Sequence, residues 1–118
     1  MAGRILIVDD SPDFRATAAA LLAARGFELV DDAADGEQAL ASVARECPDA
    51  ILLDVNLPGS DGFTVAASLA ASCPGARIVL TSADADYVPA EVLKTCAATA
   101  FVPKHELARA DLRALLAG

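Results

Sequence analysis

The chain has 118 residues, the size of one domain, and 55% of them are apolar against 22% charged, which excludes a disordered or low-complexity chain. Seventeen acids against nine Lys plus Arg leave a formal net charge of −8, a balance that opposes attraction to nucleic acid or to anionic lipid. A single domain over residues 1–118 is expected, binding neither nucleic acid nor membrane.

The opening MAGRILIVDD carries one Arg and meets acid after a short apolar run, unlike a secretory leader. RILIV (4–8) has the length and β-branched content of a strand. Ser11 then caps a first helix with Pro12 at its first position, where the missing N–H costs nothing, and Phe14, Ala18, Leu21 and Leu22 give it an apolar face. ATAAALLAA within it is too short to cross a bilayer, and Gly26 ends the helix. FELV (27–30) is the second strand. Asp35 with Gln38 makes a capping box for a second helix through about Arg45, closed by Pro48. AILL (50–53), RIVLT (77–81) and TAFV (99–102) are further strands, with helices at about 61–71 and 86–96 between them. A last helix, 105–116, carries Leu107, Leu112, Leu115 and Leu116. Strands alternating with helices imply an α/β fold: a parallel sheet with helices on both faces, because each right-handed crossover lays a helix on the sheet.

Cys47, Cys73 and Cys96 are odd in number and far apart, without a CxxC pair. They read as buried thiols in a reducing cytoplasm.

Ligands of open α/β sheets bind beyond the carboxyl ends of the strands. Asp9 and Asp10 end strand one, Asp54 ends strand three, Thr81 and Ser82 end strand four, and Lys104 follows strand five. Two ionised carboxylates about 5 Å apart repel by about 3 kcal/mol at an effective dielectric near 20, so something must compensate them. In the strand order 2-1-3-4-5, strand one neighbours strand three and brings Asp9 and Asp10 towards Asp54, whereas Asp31 and Asp32, after the outer strand two, are solvated turn residues. Three carboxylates suit Mg²⁺, which takes one or two carboxylates plus a phosphate oxygen and keeps several waters. The plainer reading makes these acids helix caps or turn residues; their convergence with Lys104 weighs against it.

With ILIVDD, ADGEQAL, ILLDVNLPGSDG, VLTSAD and AFVPK on the page, the chain resembles a response-regulator receiver domain of two-component signalling along nearly its whole length. The resemblance implies the flavodoxin-like five-stranded sheet of order 2-1-3-4-5. It makes Asp54 the phosphoacceptor, taking a phosphoryl group from a phosphohistidine of a sensor histidine kinase or phosphotransfer protein. Mg²⁺ would be held by Asp9, Asp10, Asp54 and the backbone carbonyl of Asn56, and Lys104 would pair with a phosphoryl oxygen. Family spacing favours Ser82 over Thr81 as the hydroxyl residue, since Ser82 lies 28 residues after Asp54 and 22 before Lys104. Thr81 then ends the strand and packs inwards. Phe101 stands at the aromatic switch position, with a static core aromatic as the alternative. Asn56 and Asp84 stand where the family tunes dephosphorylation, and both being polar implies a phosphoryl group lost quickly. The face made by helix four, strand five and helix five, residues 86–115, is the expected contact surface, including a possible homodimer. The expected location is the cytoplasm, and self-phosphorylation with autodephosphorylation is expected rather than turnover of an external substrate.

Departures from the pattern are His105 in place of the usual proline after the lysine, with Pro103 before it, which departs from the family geometry of that loop, and Ala97 in place of a common glycine with Pro89 in the first turn of helix four, which point to a short or mobile helix. Three rivals remain. A haloacid dehalogenase-type phosphatase needs DxD, but Asn56 stands two positions after Asp54; a flavin module on the same fold needs a first loop kinder to phosphate than DDSP; and a docking-only receiver would not need the full set of site residues.

Overall fold

The computed structural model describes residues 3–84 and 87–117. The strands are β1 (Gly3–Val8), β2 (Phe27–Ala33), β3 (Ala50–Asp54), β4 (Arg77–Ser82) and β5 (Ala100–Pro103). The helices are α1 (Pro12–Ala24), α2 (Gly36–Arg45), α3 (Gly62–Ser72), α4 (Ala90–Thr95) and α5 (Leu112–Ala117), with a 3₁₀ turn at Lys104–Glu106. All neighbouring strands pair in parallel, in the order β2-β1-β3-β4-β5, as the sequence implied.

Burial on both faces explains why the central strands are apolar without a break. Successive side chains point to opposite faces, so Ile5, Ile7, Leu52 and Val79 pack with Ala18 and Leu22 of α1 and with Leu112 and Leu116 of α5. Leu6, Val8, Ile51, Leu53, Ile78 and Leu80 pack on the other face with Ala39 and Val43 of α2 and Val65, Ala66 and Leu69 of α3. Ser11 caps α1, Asp35 caps α2 and Asp61 caps α3, each side chain accepting a backbone N–H of the first turn.

Four expectations are corrected. Asp31 and Asp32 are strand residues, because pairing with β1 continues to Ala33 past a register shift; Arg45 binds Asp31 at 3.0 Å and Arg15 binds Asp32 at 3.1 Å. Helix four is confined to Ala90–Thr95, with Pro89 as its N-cap residue and no side-chain cap; residues 85 and 86 lie outside the described residues. Its other end is a Schellman turn: Ala97 N–H reaches the Lys94 carbonyl at 3.2 Å and Ala98 N–H the Leu93 carbonyl at 2.9 Å, with Ala97 at φ 63° where glycine costs less.

The last helix starts at Leu112 rather than 105. Arg25, at the end of α1, takes the carbonyls of Ala108 (2.7 Å) and Ala110 (2.9 Å), and Asp111 caps a fresh first turn through Ala114 N–H at 3.1 Å. Leu107, Leu112 and Leu116 are still buried. Cys47 and Cys73 are joined in a disulfide, leaving Cys96 as the free, buried thiol among the described cysteines. Their separation of 26 residues hid that the α2–β3 and α3–β4 connections adjoin at one sheet edge, with the two Cα atoms 5.7 Å apart. No described helix is long and apolar enough to cross a membrane.

Candidate functional site

Parallel strands deliver their last residues to one edge. Val8 of β1 pairs with Leu53 of β3, so the next residue on each strand brings Asp9 beside Asp54, and Asp54 pairs onward with Thr81. Oxygens of Asp9, Asp10 and Asp54 lie within 4.8 Å of one another. Asp9 is fully buried and Asp54 is 4% exposed, whereas Asp10 is open to solvent.

The buried acids are held by short local bonds. Ser11 N–H donates to Asp9 Oδ1 and Asn56 N–H to Asp54 Oδ1, both at 2.9 Å. Lys104, delivered by β5, places its ammonium 2.7 Å from Asp9 Oδ2 and 3.4 Å from Asp54 Oδ2. The Asp54 carboxyl is pushed above the usual range: burial is the main cause and Asp9 adds to it, while Asn56 N–H and Lys104 only partly offset them. Burial alone would lower Lys104, but its bond to Asp9 and the charges of Asp54 and Asp9 outweigh that and hold it above its ordinary value.

Ser82 is buried and its Oγ accepts two hydrogen bonds, from Asn56 Nδ2 at 2.9 Å and from Asp84 N–H at 3.0 Å. With both acceptor positions filled, its own proton is left to donate. Asn56 Nδ2 also reaches Asp84 Oδ2 at 3.3 Å, so Asn56, Ser82 and Asp84 form one network. Thr81 is fully buried as expected, though the strand runs one residue further, to Ser82. Phe101 sits on β5 opposite Leu80, half-buried against the α2–α3 face of the core and away from the acids.

Two residues of the first turn of α1 join the site unforeseen. The Phe14 ring centroid lies 4.1 Å from Lys104 Nζ, a cation–π contact, and Arg15 Nη1 donates to the Asp9 backbone carbonyl at 2.7 Å while its Nε binds Asp32. The signal was their position directly after the paired acids, where a helix points its side chains back towards its own N-terminus. Three carboxylates, two of them buried and sharing the single Lys104 ammonium, form a set of hard oxygen ligands that fits a divalent cation such as Mg²⁺.

The family description "Response regulator receiver domain" matches residues 5–117. The chain belongs to this family. It is 37% identical over 83 residues to the chemotaxis protein CheY of Bacillus subtilis, an alignment covering 70% of this chain and 69% of that one. It is 47% identical over 75 residues to a gliding motility regulatory protein of Myxococcus xanthus, covering 64% of this chain but only 10% of that protein. A solved response regulator of Burkholderia pseudomallei, described with a phosphorylated aspartic acid, calcium ion and citrate, superposes with a TM-score of 0.84 at 27% identity, covering 95% of this chain and 65% of that one. CheY4 of Vibrio cholerae superposes at 0.80 with 26% identity, covering 96% of this chain and 98% of its own. Receiver domains of this family bind Mg²⁺ in an acidic pocket and interact with kinases and phosphotransfer proteins, and the acid cluster here is of that kind.

Proposed function

We propose that the chain is a phosphoacceptor switch, taking a phosphoryl group onto Asp54 from a phosphohistidine of a sensor histidine kinase or phosphotransfer protein in the cytoplasm. The observation that carries this reading is Asp54 itself: a buried carboxylate within 4.8 Å of two more acids and 3.4 Å from Lys104. An Asp54 oxygen attacks phosphorus, the P–N bond breaks, and its electron pair leaves with the imidazole, giving an acyl phosphate. Transfer spreads charge over the three equatorial oxygens, so the site acts by position and charge. Lys104 and the free Ser82 proton serve two of those oxygens. Mg²⁺, held by Asp9, Asp10, Asp54 and the Asn56 carbonyl, would supply charge neutralisation for the third.

Drawing Ser82 towards the phosphoryl group breaks its bonds to Asn56 and Asp84 N–H and moves the start of the β4–α4 connection. Phe101 turns with it, biasing the α4–β5–α5 face towards partner contact or homodimerisation. Asn56 and Asp84, freed from Ser82, can orient a water for hydrolysis and shorten the phosphoryl lifetime.

The test is intact mass after incubation with Mg²⁺ and acetyl phosphate, with Asp54→Ala in parallel. A gain of one phosphoryl group, lost without Mg²⁺ and in the variant, supports the switch. No gain with acetyl phosphate or with any phosphohistidine donor leaves a docking-only receiver.

A further inference from the structure

The edge of the sheet opposite the acids carries chemistry that phosphoryl transfer does not use. Cys47 lies in the α2–β3 connection and Cys73 caps the end of α3, so their disulfide ties both helices together where β3 and β4 begin. β3 rises about 3.3 Å per residue, so its length of about 13 Å from Ala50 to Asp54 puts this bond at the opposite end of the strand from Asp54.

The two cysteines differ in exposure. Cys47 is exposed, while Cys73 is 2% exposed within the apolar cluster of Leu69 and Ile78. Both oxidation states also suit the same backbone. The Cys47 sulfur sits 3.6 Å from the Ser72 carbonyl and 4.0 Å from the Val43 carbonyl, so a reduced S–H has acceptors at hand. A reduced Cys73 would remain a small apolar side chain in its cluster. Opening the bond therefore leaves no orphaned polar group. Cys96, 3% exposed in the same apolar cluster but outside the bond, is a built-in comparison.

We propose that Cys47 and Cys73 form a reversible thiol–disulfide couple in which Cys47 exchanges with low-molecular-weight disulfides and dithiols and Cys73 resolves. For closure, the Cys47 thiolate attacks a glutathione disulfide, forming a mixed disulfide and releasing one glutathione thiolate. The Cys73 thiolate then attacks Cys47 Sγ and releases the second. Two protein thiols are oxidised and one glutathione disulfide is reduced to two thiols. Reduction reverses the path: a dithiol attacks exposed Cys47, Cys73 leaves as thiolate, and the dithiol closes on itself. In a reducing compartment such bonds are transient and sensory rather than permanent, which makes this a second, covalent input to the chain.

The test is intact mass of dithiothreitol-reduced protein after transfer into oxidised glutathione. The natural chain is expected to lose two hydrogens and keep no adduct. Cys73→Ala is expected to hold one glutathionyl group on Cys47, and Cys47→Ala none while folded. A stable adduct on the natural chain, or glutathionylation of Cys73 or Cys96 at a rate comparable to Cys47, overturns the proposal. Should Cys73→Ala fail to fold, limiting iodoacetamide on the reduced natural chain decides it. Cys47 should label at least about tenfold faster than the other two, and equal labelling refutes the assignment.

Discussion

Gly62 opens α3 directly against the backbone that carries Asp54. A Cβ built there would lie 2.3 Å from Val55 Cα, 2.6 Å from its carbonyl oxygen and 2.7 Å from its carbonyl carbon, all fixed main-chain atoms. Gly62 N–H also donates to that carbonyl at 3.1 Å, and Val55 N–H to the Thr81 carbonyl at 3.0 Å, so α3 cannot draw away from Val55, nor Val55 from β4, without breaking one of them. Overpacking against backbone costs about 1–3 kcal/mol or more, and the better helix propensity of alanine returns at most about 1 kcal/mol. Gly62→Ala should therefore lose about 2 kcal/mol. An unfolding entropy near 2.1 cal/mol/K per residue gives this chain roughly 0.25 kcal/mol/K, so the melting temperature should fall by about 8 °C. Gly75 is the control: it has no atom within 4 Å of a built Cβ and no positive φ, so Gly75→Ala should be neutral or gain up to about 1 kcal/mol. Because any relief moves Val55, and Asp54 with it, phosphoryl uptake from acetyl phosphate should drop by roughly ten- to a hundredfold in Gly62→Ala alone. Thermal unfolding and mass spectrometry on the pair decide the matter. A Gly62→Ala protein as stable as Gly75→Ala would refute the close approach, and one that is destabilised yet loads normally would refute its link to Asp54.

Ala97→Gly should raise the melting temperature by about 2–4 °C, since the left-handed Schellman residue sits at φ 63° and glycine removes about 1 kcal/mol of strain; a calorimetric scan checks it. Lys104→Met removes the ammonium 2.7 Å from fully buried Asp9 and should cost about 2 kcal/mol, less than for a fully buried pair because Lys104 is 19% exposed; added Mg²⁺ should restore much of the loss in a urea titration. Asp54 is held above the usual carboxylate range, so the native state keeps its proton more tightly than the unfolded chain, and stability falls as pH rises through that window. Asp54→Asn should therefore melt higher than the natural chain at neutral pH, with the advantage shrinking as pH falls through the window above the ordinary aspartate range and gone below it; melting curves across pH test the sign.

How much the sequence disclosed depended on where each partner sits along the chain. Asp9, Asp10, Asp54, Ser82 and Lys104 were legible because each ends or follows an apolar strand, and a parallel sheet gathers strand ends at one edge. Ala97 was legible as a departure, and it takes the positive φ that a glycine would ease. The missed contacts join residues that local pattern does not link. Arg25 breaks the last helix from 83 and 85 residues away, and Cys47 meets Cys73 across a whole helix. β2 lies at the sheet edge with a mixed burial pattern, so its DD pair looked like a turn. Phe14 was read as core, and it does pack on the core, yet its ring also supports Lys104.

The adjacent acids of DDSP divide their labour by burial. Asp9 points inward, where Ser11 N–H and Lys104 hold it, and Asp10 stays in solvent. Compensation is incomplete: three carboxylates face a single ammonium, because Arg15 spends its charge on the Asp9 carbonyl and on Asp32. The balance is two negative charges, the amount one divalent cation neutralises. That same surplus is one reason Asp54 is held above its ordinary range, with Asp9 adding to the effect of burial. The arrangement is thus least stable when it holds neither cation nor proton, and binding charge relieves it. A site built this way responds to what it binds, because the relief differs between its states and only such a difference shifts a population.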